Sequence, residues 1–172
     1  MICLFFRQFA EGDMKKNICV EILETELSLE KAYAFVRDPA HGAVDIFVGT
    51  VRNNHLGKEV TGLSYDVHPT LAHQAAQVIC EEAIHQWPEA KIYFAHYKGE
   101  QKISEMSVVI AVSCAHREEA FAACRYIIEE IKRRMPIWKN EHYQDEKSAW
   151  LSGSSLVKDQ SEKIRERKSA YC

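Results

Sequence analysis

Residues 113–141, SCAHREEAFAACRYIIEEIKRRMPIWKNE, constrain the fold more than any other stretch of the chain. Ala120, Cys124, Ile127, Ile128 and Ile131 recur at helical spacing and predict one long helix with an apolar stripe. Glu118 and Glu119 fall in its first turn, and Lys132, Arg133 and Arg134 in its last, the charge order that the helix dipole favours. Pro136 has no N–H and disfavours a helical Met135, so the helix should stop near Arg134. Its start offers free backbone N–H groups beside His116 and Arg117, a candidate anion site. For Arg133 and Arg134, complementing the dipole is reason enough to be there.

The flanking pattern is mixed. Ile18 to Leu23 alternates as a strand. Ser28 can cap a helix through Val36, with Leu29, Ala32, Tyr33 and Val36 inward. Asp38-Pro39 and Gly42 mark a turn. Ala43 to Val51 is rich in β-branched and aromatic residues and reads as a central strand leading into a polar loop, Arg52 to Gly57. Val60 to Val67 predicts a strand that His68-Pro69-Thr70 breaks. Leu71 to Trp87 predicts a helix with Leu71, Ala75, Val78, Ile79, Ala83 and Trp87 on one face. Lys91 to Tyr97 predicts a strand, Lys98 to Glu100 a turn, and Ser107 to Cys114 a strand buried on both faces. Trp138 to Tyr143 and Ala149 to Leu151 could pair as a hairpin. Short strands with two long helices and mixed connections indicate an α+β domain. Residues 1–13 read as a non-conforming N-terminal extension, 14–153 as the domain, and 154–172 as a charged C-terminal tail.

Composition narrows the function. An apolar fraction of 47% is enough for a proper core, and a formal net charge of −3 argues against a general nucleic-acid binder. The purely apolar runs are too short to span a membrane, and Met1 to Phe6 is too short for a signal-peptide core, so a cytoplasmic protein is expected. None of the six cysteines forms a C-x-x-C pair and there is no H-E-x-x-H, so no metal site is expected. No Gly-rich phosphate loop follows any strand, so the ATP and dinucleotide folds lack their fingerprint.

Five basic groups stand at predicted element ends: Arg52, His116, Arg117, Lys132 and Lys139. Arg52 ends one strand and His116-Arg117 follow another, so their ends meet if the strands are neighbours. Lys132 lies about 24 Å along the helix from His116, too far for one copy of the chain to place both in a compact site. Lys132 and Lys139 can converge because Pro136 turns the chain back. Such a set suits a small anionic substrate: arginine offers fixed fork donors, and a lysine among cations can serve as base or nucleophile. The same residues are also what a solvated surface would carry. Cys114, beside His116, is a further candidate nucleophile; Cys124, on the apolar stripe, reads as core.

Three motifs occur in order: Phe47-Val48-Gly49-Thr50-Val51-Arg52-Asn53; Ser113-Cys114-Ala115-His116-Arg117 with Ala120-Phe121; and Ile131-Lys132 followed by Pro136-Ile137-Trp138-Lys139-Asn140-Glu141. In these, and at this spacing, the chain resembles the catalytic (large) subunit family of molybdopterin synthase, over about Ile18 to Leu151. The resemblance implies an α/β hammerhead fold with an additional small antiparallel β subdomain. It implies a central homodimer binding a small β-grasp sulfur-carrier subunit with a C-terminal Gly-Gly at each end, a heterotetramer overall. Sulfur would pass from the carrier's thiocarboxylate to cyclic pyranopterin monophosphate, giving the molybdopterin dithiolene, with no metal or other cofactor. Arg52, His116 and Arg117 would hold the phosphate, part of that set crossing the dimer. Lys132 and Lys139 would bind substrate and carry the transfer, with Glu141 orienting a lysine. Tyr97 stands where the family often has arginine after His96, and no arginine stands near Ser154. The competing readings are a non-catalytic binding module for a phosphorylated ligand or RNA, a cysteine-dependent sulfurtransferase using Cys114, and a purely structural dimer.

Overall fold

In the structure, a computed structural model that describes residues 16–143 and 149–151, the apolar run before the long helix is one of the two inner strands of a four-stranded sheet. In chain order the elements are β1 (Ile18–Leu23), α1 (Leu29–Val36), β2 (Ala43–Thr50), β3 (Asn54–His55), β4 (Lys58–Val67) and α2 (Pro69–Gln86). After these come β5 (Lys91–Tyr97), β6 (Gly99–Lys102), β7 (Met106–Cys114), α3 (Arg117–Arg134), β8 (Ile137–Tyr143) and β9 (Ala149–Leu151). Strand β7 is buried from Ser107 to Cys114, because helices cover both faces of its sheet.

That sheet has the order β1-β5-β7-β2. β1 runs parallel to β5, whereas β5–β7 and β7–β2 are antiparallel. Val108, Ile110 and Val112 point to α2 and α3, and the alternate Val109 and Ala111 point to α1. α3 buries the stripe expected of it, Ala120, Cys124, Ile127, Ile128 and Ile131, together with Ala123. It ends at Arg134, as Pro136 requires.

The two other helices bury only part of the faces expected of them: Ala32 and Val36 in α1 and Ile79 and Ala83 in α2 are buried as expected. In α1 only Ala32 and Val36 are buried, while Leu29 and Tyr33 are exposed. In α2 the buried face is Ala72, Ala76, Ile79, Cys80, Ala83 and Ile84, and Leu71 and Val78 face outward. Small side chains let α2 lie close to β1 and α3, so Ala72, Ala76 and Ala83 share its inner face with Ile79 and Ile84. His68 and Pro69 start this helix: Pro69 takes the first turn, and the Leu71 N–H donates to His68 Nδ1 at 3.4 Å.

The remaining strands form a second sheet of order β3-β4-β8-β9, with β6 on β4 beside β3. The β8–β9 hairpin is as expected. Two segments read as loops are strands instead: Asn54–His55 pairs back on β4, and Gly99–Lys102 pairs with Gly62–Tyr65. The α+β architecture with a separate antiparallel sheet thus matches the expected fold class. The proposed extension at residues 1–13 and tail at 154–172 lie outside the described residues.

Candidate active site

The first sheet meets the second where β2 ends and β7 begins. The pairing of β2 with β7 shifts register between Gly49 and Thr50. Gly49 is required there, since a Cβ would lie 2.6 Å from Val108 Cγ1. After the bulge Val51 is anchored by backbone bonds, its N–H to Glu105 O at 3.0 Å and its carbonyl from Ser104 N–H at 2.8 Å. Arg52 leaves this anchor as an exposed side chain. The chain then turns tightly through Leu56 (φ 51°) and Gly57 (φ 79°), the positive φ pair of a two-residue hairpin, and this carries His55 back over the second sheet.

On β8, Lys139, Glu141 and Tyr143 share one face by the strand alternation, and Tyr65 of β4 stands opposite Lys139. Glu141 is 2% exposed and ion-pairs with Lys139. The Tyr143 hydroxyl donates to Glu141 Oε2 at 2.6 Å, and His55 Nδ1 lies 4.0 Å from Oε1. Burial pushes the Glu141 carboxyl upward, but the bonds from Lys139 and Tyr143 and the charges of Lys139 and His55 outweigh it, holding it below the usual carboxylate value. Burial, with the Glu141 charge, raises the Tyr65 phenol against the opposing Ser107 hydrogen bond and Arg52 charge. His96 meets Tyr65 edge-on at 5.0 Å. Burial brings the His96 imidazole down to about 4 despite its bond to Tyr97 O, so it is neutral at pH 7.

α3 runs back along β7 from its far end, so its last turn, with Lys132, returns to the end that carries Arg52 and Lys139. Lys132 is exposed and forms no ion pair among the described residues. The structure therefore brings Arg52, Lys132, Lys139 and Glu141 to one end of the domain.

His116 and Arg117 are at the other end. His116 caps α3 without a side-chain cap bond, and Arg117 opens the helix. Ala115 O there accepts from Gly42 N–H at 3.2 Å, at the start of β2. The strands that carry Arg52 and His116-Arg117 are indeed neighbours, but they are antiparallel, Ala43 facing Cys114 and Thr50 facing Met106. Their functional ends consequently lie a full strand apart, about 26 Å at ~3.3 Å per residue. The expected meeting of Arg52 with His116 and Arg117 does not occur within one copy.

Neither core cysteine near these ends is poised to react. Burial and the nearby Glu119 charge push the Cys114 thiol up to about 11, and burial pushes Cys124 to about 12. Sequence reasoning missed His55, Tyr65 and Tyr143. The alternation Lys139-x-Glu141-x-Tyr143 was a usable signal for the last; nothing local pointed to His55.

This is an α+β domain with Arg52, Lys132 and Lys139 at one end, the last ion-paired with the buried Glu141, an arrangement chemically suited to a small anionic ligand. The chain is a member of the MoaE family: the family described as MoaE protein matches residues 22–134. A molybdopterin synthase catalytic subunit from Synechococcus elongatus is 39% identical over 147 residues, covering 85% of this chain and 89% of that protein. The protein of the same description from Homo sapiens is 36% identical over 140 residues, covering 81% and 74%. Among solved structures, molybdopterin synthase from Staphylococcus aureus superposes with a TM-score of 0.74 at 34% identity, covering 77% of this chain and 96% of that one. A complex of subunits 1 and 2 of molybdopterin-converting factor from Helicobacter pylori shares the fold, with a TM-score of 0.56 at 24% identity over 74% of this chain and 86% of that one. The family's activity is that of a sulfur-transferring catalytic subunit in molybdenum cofactor biosynthesis.

Proposed function

We propose that this chain transfers sulfur from the C-terminal thiocarboxylate of a small β-grasp carrier subunit to cyclic pyranopterin monophosphate, forming the molybdopterin dithiolene. The observation that carries the reading is the Lys139–Glu141 pair, at the same end of the domain as Arg52 and Lys132. Thiocarboxylate and cyclic phosphate are both anions, and bringing them together needs fixed cations in a partly dry site. The thiocarboxylate sulfur forms a bond to a side-chain carbon of the pterin as that carbon gives up a C–O bond, the oxygen leaving with a proton; water then cleaves the bond from sulfur to the carrier's acyl carbon, directly or after the acyl group has passed to a lysine amine, and the carrier ends as a carboxylate. Lys132 and Lys139 stabilise the charge that develops on sulfur and oxygen, and Glu141 orients Lys139.

His116 and Arg117 join the site from a second copy. One copy holds them about 26 Å from Arg52, whereas a two-fold dimer can set the far end of one chain against the near end of its partner. In that arrangement Arg52 meets the partner's phosphate-binding pair, and each end of the dimer takes one carrier. The reading places the protein in the cytoplasm. It suits a reducing compartment that Cys19, Cys80, Cys114 and Cys124 are free thiols, and no helix among the described residues is long and apolar enough to cross a membrane.

The test is to mix the protein with thiocarboxylated carrier and cyclic pyranopterin monophosphate and to look for dithiolene product. Product is expected. Its absence, together with RNA binding that weakens steeply with salt, would establish the binding-module reading instead.

A further inference from the structure

Glu141 is a buried carboxylate whose two oxygens are served by different groups. Oε1 pairs with Lys139 and lies 4.0 Å from His55 Nδ1, and Oε2 accepts the Tyr143 hydroxyl at 2.6 Å. Lys139, Glu141 and Tyr143 stand on β8, whereas His55 arrives from the hairpin that β3 makes with β4. We propose that Tyr143 and His55 are positioning residues for sulfur transfer, holding Glu141 ionised and turned so that it fixes the direction and charge of Lys139. The proposal rests on the reading of Lys139 as a catalytic group.

A carboxylate only 2% exposed cannot depend on water to stay ionised; its neighbours must supply the stabilisation. Lys139 engages one oxygen. Without a second donor the other oxygen would be buried with no partner, and the carboxylate could rotate about its last torsion. The Tyr143 hydroxyl removes both problems, because its bond to Oε2 aims Oε1 at Lys139. His55 Nδ1, 4.0 Å from Oε1, adds a second positive charge there when the ring is protonated. Among the described residues, the groups facing Glu141 are Lys139 and Tyr143 from β8, His55 from β3, and Tyr65 from β4, whose phenol also feels Arg52. Lys58 Nζ stands 5.7 Å from the Tyr143 ring centre and steadies that ring from the hairpin side.

The direction of the effect is set by these contacts. Tyr143 and His55 both favour the ionised carboxylate, so removing either raises the pH at which Glu141 protonates. Transfer that needs ionised Glu141 fails as pH falls through that point, so the acid limb of the rate profile must move to higher pH.

Single-turnover sulfur transfer from preformed carrier complex, measured across about pH 5 to 9, tests this. Tyr143→Phe should lower the rate at neutral pH about tenfold, leave KM for the pterin within about twofold, and move the acid limb upward. His55→Gln should move the limb in the same direction by less. In a readout independent of activity, the carboxyl 13C resonance of Glu141 should titrate at higher pH in Tyr143→Phe than in the wild type. An unshifted acid limb and an unshifted carboxyl titration would overturn the proposal, including the case where the rate falls only in step with the melting temperature. If the wild type itself made no dithiolene, the functional reading would fail separately, while the carboxyl titration would still decide whether Tyr143 controls Glu141.

Discussion

Replacing Lys139 by alanine should destabilise the fold in a pH-dependent way. Glu141 is 2% exposed, and Lys139 is its ion-pair partner. Removing one member of a fully buried pair costs about 3–5 kcal/mol. Lys139 keeps 18% of its exposure and Tyr143 still donates to Glu141, so we scale this to about 2 kcal/mol. For a domain of this size that corresponds to a fall in Tm of about 6 °C. The pH dependence comes from the direction of the carboxyl's shift. In the wild type Glu141 is held below its ordinary value, so its contribution is fully present above the unfolded pKa and is lost as pH falls through the folded one. In Lys139→Ala the strongest counterweight to burial is gone and the carboxyl moves upward, so protonation relieves the variant first. The gap in Tm should be largest near pH 7 and should narrow toward about pH 4, close to the ordinary carboxylate range. Calorimetric melts of wild type and variant at several pH values measure this. Lys132→Ala, which removes an exposed side chain with no ion pair among the described residues, serves as the control and should melt close to the wild type. A loss that is constant across pH, or no loss at neutral pH, would refute the view that Lys139 balances a buried charge.

Two further outcomes are expected. Cys114→Ser should retain substantial turnover, because the thiol is buried and held well above neutrality; abolished turnover in a folded variant would make Cys114 the sulfur-bearing group. Light scattering without carrier should give a dimer whose mass rises by two carriers on addition of carrier, and a well-behaved active monomer would contradict the shared site.

How much of the fold could be read from the sequence depended on the physical strength of each local signal. α3 was legible because its stripe is built from isoleucines, its end charges match the dipole and Pro136 stops it. The inner face of α2 was legible only at Ile79 and Ala83, because size was a poor guide elsewhere: Ala72, Ala76 and Cys80 are buried while Leu71 and Val78 are not. The Asn54–His55 strand was hidden because its turn is Leu56-Gly57 rather than one of the usual Asn-Gly or Asp-Gly signals. At the site, the cations Arg52, Lys132 and Lys139 and the acid Glu141 were all legible as residues. Which of them meet was not, because strand direction is decided by tertiary pairing. The antiparallel β2–β7 pair is what sends His116 and Arg117 to the far end. His55 reaches Glu141 across 86 positions of sequence, a contact that no local pattern encodes.

Whether Lys132 and Lys139 perform the transfer is decided by single-turnover sulfur transfer in Lys132→Ala and Lys139→Ala, each preloaded with thiocarboxylated carrier. Arginine cannot replace an amine that must take a proton or an acyl group, so Lys139→Arg belongs in the same series. Each alanine variant should lose at least ~100-fold in rate, the scale of a positioned acid–base or charge-stabilising group, with carrier affinity changed far less. Lys139→Arg should give no rescue if the amine exchanges a proton or captures the acyl group, and partial rescue if only its charge matters. Alanine variants that bind carrier normally and transfer sulfur at near the wild-type rate would show that these two lysines do not perform the transfer.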